Sequence, residues 1–324
     1  MLSVVIPSYN EEGNIKNTAQ VISRVLDESK IEHELIFVDD GSKDSSWDVI
    51  SAEHERDERI RGIRFSRNFG KEGAIFAGLE ACRGDAAVVM DCDLQHPPQV
   101  IPKMYELWQE GAQVVEGKKS SRGRESLVYR AMAGFFYRLI QSSSKIDMKD
   151  SSDFKLIDRR VIDTLLAMPE RITFFRALSG WVGFDTKTVY YDVAERFSGE
   201  RKWTAGMLIG YAIRNLTSFT GIPLYISSVV GLLVMLAAVV LIILNIAGVP
   251  MGSFDAAASV LMLIGGGVLE CIGIGCYYIS RIYEEVKHRP RYIVAKTTED
   301  KKGNKRKENA GGDNAPDTSD GVKP

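Results

Sequence analysis

The chain has 324 residues, with 41 Lys and Arg against 43 Asp and Glu and a formal net charge of -2. That balance excludes the basic footprint of a nucleic-acid binder, and the length allows one large domain with additions. A mean hydropathy of -0.09 hides a sharp division, because no charged residue occurs from Asn215 to Phe254.

The N-terminus enters a strand-like VVIP with no basic n-region and no apolar stretch of signal length, so the large N-terminal domain is expected in the cytosol. Ser3 to Pro7 is the first predicted strand. The polar turn after it, Ser8 to Glu12, reads equally as a nucleobase pocket with an aromatic, Tyr9, or as an ordinary strand-to-helix turn. Leu35 to Val38 is a second apolar strand that ends in Asp39, Asp40, Gly41 and Ser42. Ser45 or Ser46 can cap the next helix, whose Trp47, Val49 and Ile50 should face the core. Ile60 to Phe65 is a weaker strand. The glycine-containing turn after it, Ser66 to Gly73, opens a helix to about Cys82, and its backbone N–H groups with Arg67 or Lys71 nearby would suit phosphate, although the GxxxxGK(S/T) pattern is absent.

Ala86 to Met90 is a short apolar run that reads as a buried parallel strand, and it runs into Asp91 and Asp93. Alternation puts those two carboxylates on one side and Cys92 on the other, a hard oxygen pair suited to Mg²⁺ or Mn²⁺. A helix cap and turn would look the same. Two acid-ended strands lining one sheet edge favour a shared site, since ligands in open α/β sheets bind beyond the carboxyl ends of strands.

Pro97 and Pro98 start a helix to about Gly111, and Val114 to Gly117 is another strand. Lys118, Lys119, Arg122, Arg124 and Arg130 lead into an aromatic helix, Ala131 to Ile140, which either lies on a membrane surface or packs on the sheet. Ser151 to Ile157 reads as a strand with Asp153 near its start, Arg159 to Met168 as a helix and Gly180 to Tyr191 as further strand. Arg196, Phe197, Arg201, Lys202 and Trp203 then precede an amphipathic stretch to Phe219, placed either to meet lipid phosphate or as ordinary topogenic charge. Ile222 to Ile246 and Ala256 to Ser280 are each long enough to span a bilayer. Their connecting loop lacks Lys and Arg while both flanks are basic, which predicts a hairpin with both termini in the cytosol. Gly265, Gly266, Gly267, Gly273 and Gly275 permit close helix packing, and Glu270 is costly inside the second span unless it faces a partner. The four cysteines lack zinc-type spacing and read as reduced apolar residues. From about Thr297 the tail has no apolar periodicity and is expected to be disordered.

Taken in order, SVVIPSYNEEGNI, IFVDDGSKDSS, FSRNFGKEGAIFAGLEACRGD, VVMDCDLQHPPQVIPKM, SDFKLIDR, RFSGERKW, two C-terminal spans and RIYEEVKHRPRYIV resemble family-2 glycosyltransferases of the GT-A type. The resemblance is specifically to the polyprenyl-phosphate glycosyltransferases, relatives of dolichyl-phosphate mannose synthase, and covers about Leu2 to Val294. It implies an α/β fold: a Rossmann-like, mostly parallel mixed sheet flanked by helices, then interfacial helices and a two-helix transmembrane hairpin. The organisation expected is a cytosolic catalytic domain over 1–200, a juxtamembrane amphipathic helix over 201–221, two spans over 222–282, a cytosolic segment over 283–296 and a disordered tail over 297–324.

The resemblance implies that Pro7, Tyr9, Asn10, Glu11, Asp39, Asp40, Lys71 and Asp91 hold the nucleotide. It places a Mg²⁺ or Mn²⁺ ion on Asp91, Asp93 and Gln95, makes Asp153 and Asp93 catalytic, and assigns Arg196 and Lys202, with Arg122 or Arg130, to the acceptor phosphate. Ser152 stands where the family commonly has Gly, and Arg201 where it commonly has Ser. The implied reaction is metal-dependent, inverting transfer of a sugar from a nucleotide diphosphate sugar, UDP-linked by likeness to bacterial two-span members, to polyprenyl phosphate at the cytosolic face of a bacterial plasma membrane. Expected partners are the sugar nucleotide, the lipid, the membrane, a flippase and further copies of the chain. The alternatives are a processive polysaccharide synthase, which would carry QxxRW and more spans, and a silent membrane scaffold that binds sugar nucleotide.

Overall fold

The structure is a computed structural model that describes residues 1–120, 152–169, 174–192 and 253–300, with separate positions between 229 and 247. Its centre is an eight-stranded sheet in the order β7-β5-β6-β4-β1-β2-β3-β8. The strands are β1 (Leu2–Ser8), β2 (His33–Asp39), β3 (Ile60–Phe65), β4 (Ala86–Val89), β5 (Val114–Lys119), β6 (Lys155–Asp158), β7 (Thr186–Tyr191) and β8 (Val294–Thr297). β1 to β4, β5 and β7 run one way, while β6 and β8 run antiparallel to their neighbours. The sheet is therefore mixed and mostly parallel, as expected.

Both faces of the central strands are buried, and the two-residue period sorts their side chains. Val4, Ile6, Leu35, Phe37 and Val88 join one core cluster with α1 (Ile15–Glu28), α2 (Ser46–Arg56) and α4 (Ile101–Gln109). Val5, Ile36, Val38, Ala87 and Val89 join the other with α3 (Lys71–Ala81), α5 (Arg159–Ala167) and α6 (Phe175–Trp181). Such continuous apolar strands are the mark of a sheet covered on both sides. In α1, Ile15, Ala19, Ile22 and Leu26 recur at helical spacing and are all buried. A Cβ at Gly78 would sit 2.2 Å from Val5 Cγ1, so a side chain there would force α3 off β1.

Three local expectations shift. The stretch Gly180 to Tyr191 is not all strand: α6 runs to Trp181, Gly183 turns the chain at φ 72, and β7 starts only at Thr186. The helix after Pro97 begins as a 3-10 turn, Pro98–Val100, before α4. The tail does not lose order at Thr297. Val294–Thr297 instead pairs antiparallel with β3, Thr298 is buried, and its backbone N–H donates to the Gly62 carbonyl at 3.0 Å.

Ahead of β8 lies α7 (Ser253–Val286), a 34-residue helix. It is the one helix among the described residues long and apolar enough to cross a membrane, over Leu263–Ser280. Every described position from 229 to 244 is also helical. A Cβ at Gly267 would lie 3.3 Å from Val234, and one at Gly231 would lie 3.5 Å from Cys271 Sγ. Gly265, Gly266, Gly273 and Gly275 meet nothing within 4 Å. The expected interfacial helix, the basic residues Arg122, Arg130, Arg196 and Lys202, and residues 301–324 lie outside the described residues.

Candidate active site

The strand order 3-2-1-4 reverses between β1 and β4, and at such a point two adjacent parallel strands send their connections to opposite faces and leave a crevice at their carboxyl ends. Tyr9 follows one of these strands and Asp91 the other. On the β1 side the loops are laced together. Asn10 adopts φ 54, donates its backbone N–H to Ser42 Oγ at 2.9 Å and accepts from Lys43 N at 2.9 Å through Oδ1. The Glu11 N–H donates to Ser46 Oγ at 2.9 Å, and its carboxylate accepts from Asn14. Pro7 and Tyr9 are half-buried beside them. Asp44, rather than a serine cap, accepts from both the backbone N–H and the hydroxyl of Ser46.

The acids at the end of β2 are structural as they stand. Asp39 is wholly buried, its Oδ1 accepts from Ser42 N at 2.8 Å, and its Oδ2 lies 3.3 Å from Arg64 Nε without a hydrogen bond. Asp40 accepts from the backbone N–H groups of Phe69 and Gly70 at 2.6 and 2.9 Å, and so fixes the turn that opens α3. Burial pushes its pKa up to about 6 against those two bonds. Gly41, at φ +68, lets the two turns touch, since a Cβ there would meet the Arg67 backbone at 2.5 Å.

On the β4 side, strand pairing builds the charged centre. β6 runs antiparallel to β4 with Val89 opposite Lys155, so two residues further along Asp91 comes opposite Asp153. Lys71, the first residue of α3, closes the gap: its Nζ lies 2.6 Å from Asp91 Oδ1 and 2.9 Å from Asp153 Oδ2. The other oxygen of Asp153 accepts from Arg176 Nε, on α6, at 3.1 Å. Burial opposes charge on all three groups, yet the ion pairs prevail. Lys71 is held above the ordinary lysine range, and Asp91 and Asp153 below the ordinary carboxylate range. Asp153 is 7% exposed and locked ionised, which makes it a poor proton acceptor in this state.

Cys92 is buried with its carbonyl bonded to Thr18, while Asp91 and Asp93 on either side stay partly exposed, the alternation the sequence predicts. The strand itself stops at Val89, and Leu94 at φ 56 turns the chain so that Asp93 Oδ1 accepts from Gln95 N at 3.1 Å. The structure thus brings Asp91, Lys71 and Asp153 together, and leaves Asp93, Asp39 and Asp40 on separate backbone partners. Among the described residues no three His, Cys, Asp or Glu side chains gather as a metal cage. Of the residues expected to hold a cation, Asp91 meets the Lys71 ammonium, which it shares with Asp153, while Asp93 keeps its contact to Gln95 N.

Several residues of this centre carried no signal in the sequence. Arg176 is a lone arginine there. Glu72 looks like a routine acidic residue in a first helical turn, yet it accepts from Phe175 N at 2.8 Å, and burial followed by the nearby Asp153 charge raises its pKa to about 7. His96 stacks on Phe154 at 5.0 Å, and burial lowers its pKa. Beneath Asp153, the buried Lys155 lies 3.2 Å from Glu116 and donates to Ser179 Oγ at 2.9 Å. Ser152, the departure from the expected Gly, donates its hydroxyl to the Gly117 carbonyl at 2.6 Å and pins the approach to β6 against β5.

The model of glycosyl transferase family 2 matches residues 3–166, which run from β1 into α5 and include Lys71, Asp91 and Asp153. The chain belongs to this family. Over 301 residues it is 38% identical to the uncharacterized glycosyltransferase YkcC of Bacillus subtilis strain 168, covering 91% of this chain and 93% of that one. Over 302 residues it is 36% identical to the SfII prophage-derived bactoprenol glucosyl transferase of Shigella flexneri, covering 91% and 98%. A weaker likeness, with 21% identity and a TM-score of 0.47, is to glucosyl-3-phosphoglycerate synthase of Mycobacterium tuberculosis in complex with Mn²⁺ and UDP-glucose, covering 67% of this chain and 77% of that one. As a family-2 glycosyltransferase the protein is an enzyme, and its charged centre sits inside the matched region.

Proposed function

We propose that this glycosyltransferase moves a sugar from a UDP-linked donor to polyprenyl phosphate at a membrane surface, with inversion at the anomeric carbon. The observation that carries the reading is the Asp91–Lys71–Asp153 cluster at the β1/β4 crevice, in a chain whose relatives over nine-tenths of its length include bactoprenol glucosyl transferases. The apolar helix α7 supports a lipid acceptor. On this reading Pro7, Tyr9, Asn10, Glu11 and Asp39 flank the nucleoside. The buried Asp39 Oδ2, which has no hydrogen-bond donor of its own, fits an acceptor for a nucleobase N–H.

Asp91, Asp93 and Gln95 are hard oxygen donors on one turn, all three part-exposed. That set suits Mg²⁺ or Mn²⁺, ions that bind through one or two carboxylates and complete their shell with substrate phosphate and water. Such an ion would supply charge neutralisation for the departing diphosphate. In the chemical step, an acceptor phosphate oxygen forms the new bond to the anomeric carbon as the bond to the diphosphate breaks, and the electron pair leaves with the nucleoside diphosphate. Lys71, released from one carboxylate, offers its ammonium to that growing charge. The acceptor has a second pKa near ~6 and arrives largely ionised, so no strong base is needed and Asp153 serves to orient the reacting groups more than to take a proton.

The test is a panel of labelled UDP-glucose, UDP-N-acetylglucosamine and GDP-mannose with full-length protein and polyprenyl phosphate. One labelled lipid from a UDP-sugar is the expected product. A polymer would replace the reading with a processive synthase, and donor binding without any transfer would replace it with a scaffold.

A further inference from the structure

Asp153 gives its two oxygens to different cations. Oδ2 faces Lys71 and, through it, Asp91; Oδ1 faces Arg176. In an inverting displacement the nucleophile must approach the sugar from the side away from the leaving diphosphate. If Asp91 and Lys71 mark the diphosphate side, the far side of Asp153 is where the acceptor enters.

A phosphate monoester arriving there as a near-dianion would meet the ionised Asp153 carboxylate and be repelled, so a cation must stand between them. Arg176 is the cation bonded to the other oxygen of that carboxylate. Its side chain is 26% exposed, so a solute can reach it. The contact to Asp153 runs through Nε at 3.1 Å, and a guanidinium carries five N–H donors in a rigid fork that suits phosphate. Its own position is fixed twice. Besides the bond to Asp153, the start of α6 is held by Glu72, whose carboxylate accepts from Phe175 N at 2.8 Å. Lys71 and Glu72 at the head of α3 are thus joined to residues 175 and 176 by two routes, one through Asp153 and one direct.

We propose that Arg176 is a substrate-contacting residue that receives the phosphate of the lipid acceptor while its Nε keeps hold of Asp153. The assignment rests on the transferase reading above and adds a residue from α6 to an acceptor site otherwise expected only on Arg122, Arg130, Arg196 and Lys202. It also gives Asp153 a second task, which is to aim that guanidinium.

The test is steady-state kinetics of full-length R176Q and R176K in detergent, varying polyprenyl phosphate at saturating UDP-sugar and then the reverse. A charge-assisted bond to phosphate predicts that R176Q raises KM for the lipid by about tenfold to a hundredfold, with KM for the UDP-sugar unchanged, and that R176K recovers part of the loss. A rise in KM for the UDP-sugar would place Arg176 on the donor diphosphate and overturn the assignment. A fall in kcat with both KM values unchanged would also overturn it, leaving Arg176 as a support for Asp153 alone. R176K separates folding from function, because it keeps the charge beside Asp153. Wild-type enzyme that cleaves the UDP-sugar but leaves polyprenyl phosphate unlabelled would overturn the acceptor reading itself, and this assignment with it.

Discussion

Lys71 decides the resting state of the centre, because one ammonium neutralises two carboxylates that would otherwise face each other. Lys71→Met should therefore cost more than a lost contact: activity should fall at least about a hundredfold, and Lys71→Arg should restore only part of it, as sugar-transfer rates will show. Asp153→Asn removes the negative charge but keeps the shape, so some transfer should survive, whereas Asp93→Asn should abolish nearly all of it. Equal and complete loss in both variants would refute that division of labour. Glu72 gives a pH signature. Its folded pKa of about 7 lies above the ordinary value of 4.5, so the folded state binds the proton more tightly than the unfolded state does. That stabilisation is present below the ordinary value and is lost as pH rises toward 7. Glu72→Gln keeps an acceptor for Phe175 N without titrating, so the fall in melting temperature between pH 5 and 7 should be shallower in the variant than in the wild type.

At the scale of elements, the segment after α7 does more than connect. Arg291 donates to the Met168 carbonyl at 2.6 Å and lies over Phe76 of α3, Tyr292 stacks on Phe65 at 5.0 Å and bonds Glu80, and the Ile293 carbonyl accepts from Ser66 N at 3.0 Å. These contacts fasten β8 beside the turn that presents Lys71. Tyr292→Ala should destabilise the protein by about 1–3 kcal/mol, measured as a lower melting temperature. This strand was illegible in the sequence because Val294 to Thr297 has neither length nor a strong apolar pattern. Its pairing partner, β3, is more than two hundred residues away. By contrast β1, β2, β4 and the helices α2 and α3 could be read directly. Their apolar runs and helical spacing reflect burial that any version of this fold would impose.

For the whole molecule, the consequence is that the sheet is completed from the far side of the apolar helix. β8 covers the edge of β3 and follows α7 in the chain. A fragment of residues 1–200 would lack it and expose an unpaired strand edge, the usual route to edge-to-edge association. Such a fragment should aggregate more readily than the full chain, and a peptide of residues 289–300 should reduce that aggregation in light-scattering assays. The same architecture ties the apolar helix α7 to the turn that presents Lys71, through the contacts of Arg291, Tyr292 and Ile293 that follow it.

The amino-acid sequence alone determined the class of the protein. Apolar strands ending in acids pointed to an α/β sheet, and the ordered motifs from SVVIP to SDFK marked it as a family-2 glycosyltransferase. These are local properties, written in side-chain periodicity and in the residue types at strand ends. Tertiary structure decided which of the many acids and cations meet. The antiparallel register of β6 on β4 brings Asp153 opposite Asp91, and the packing of α3 and α6 delivers Lys71 and Arg176 to that pair, while Asp40 is drawn away to hold a turn. Charge partners are set by distance in space, and the separation between residues 71, 91, 153 and 176 along the chain says nothing about it until the sheet has formed.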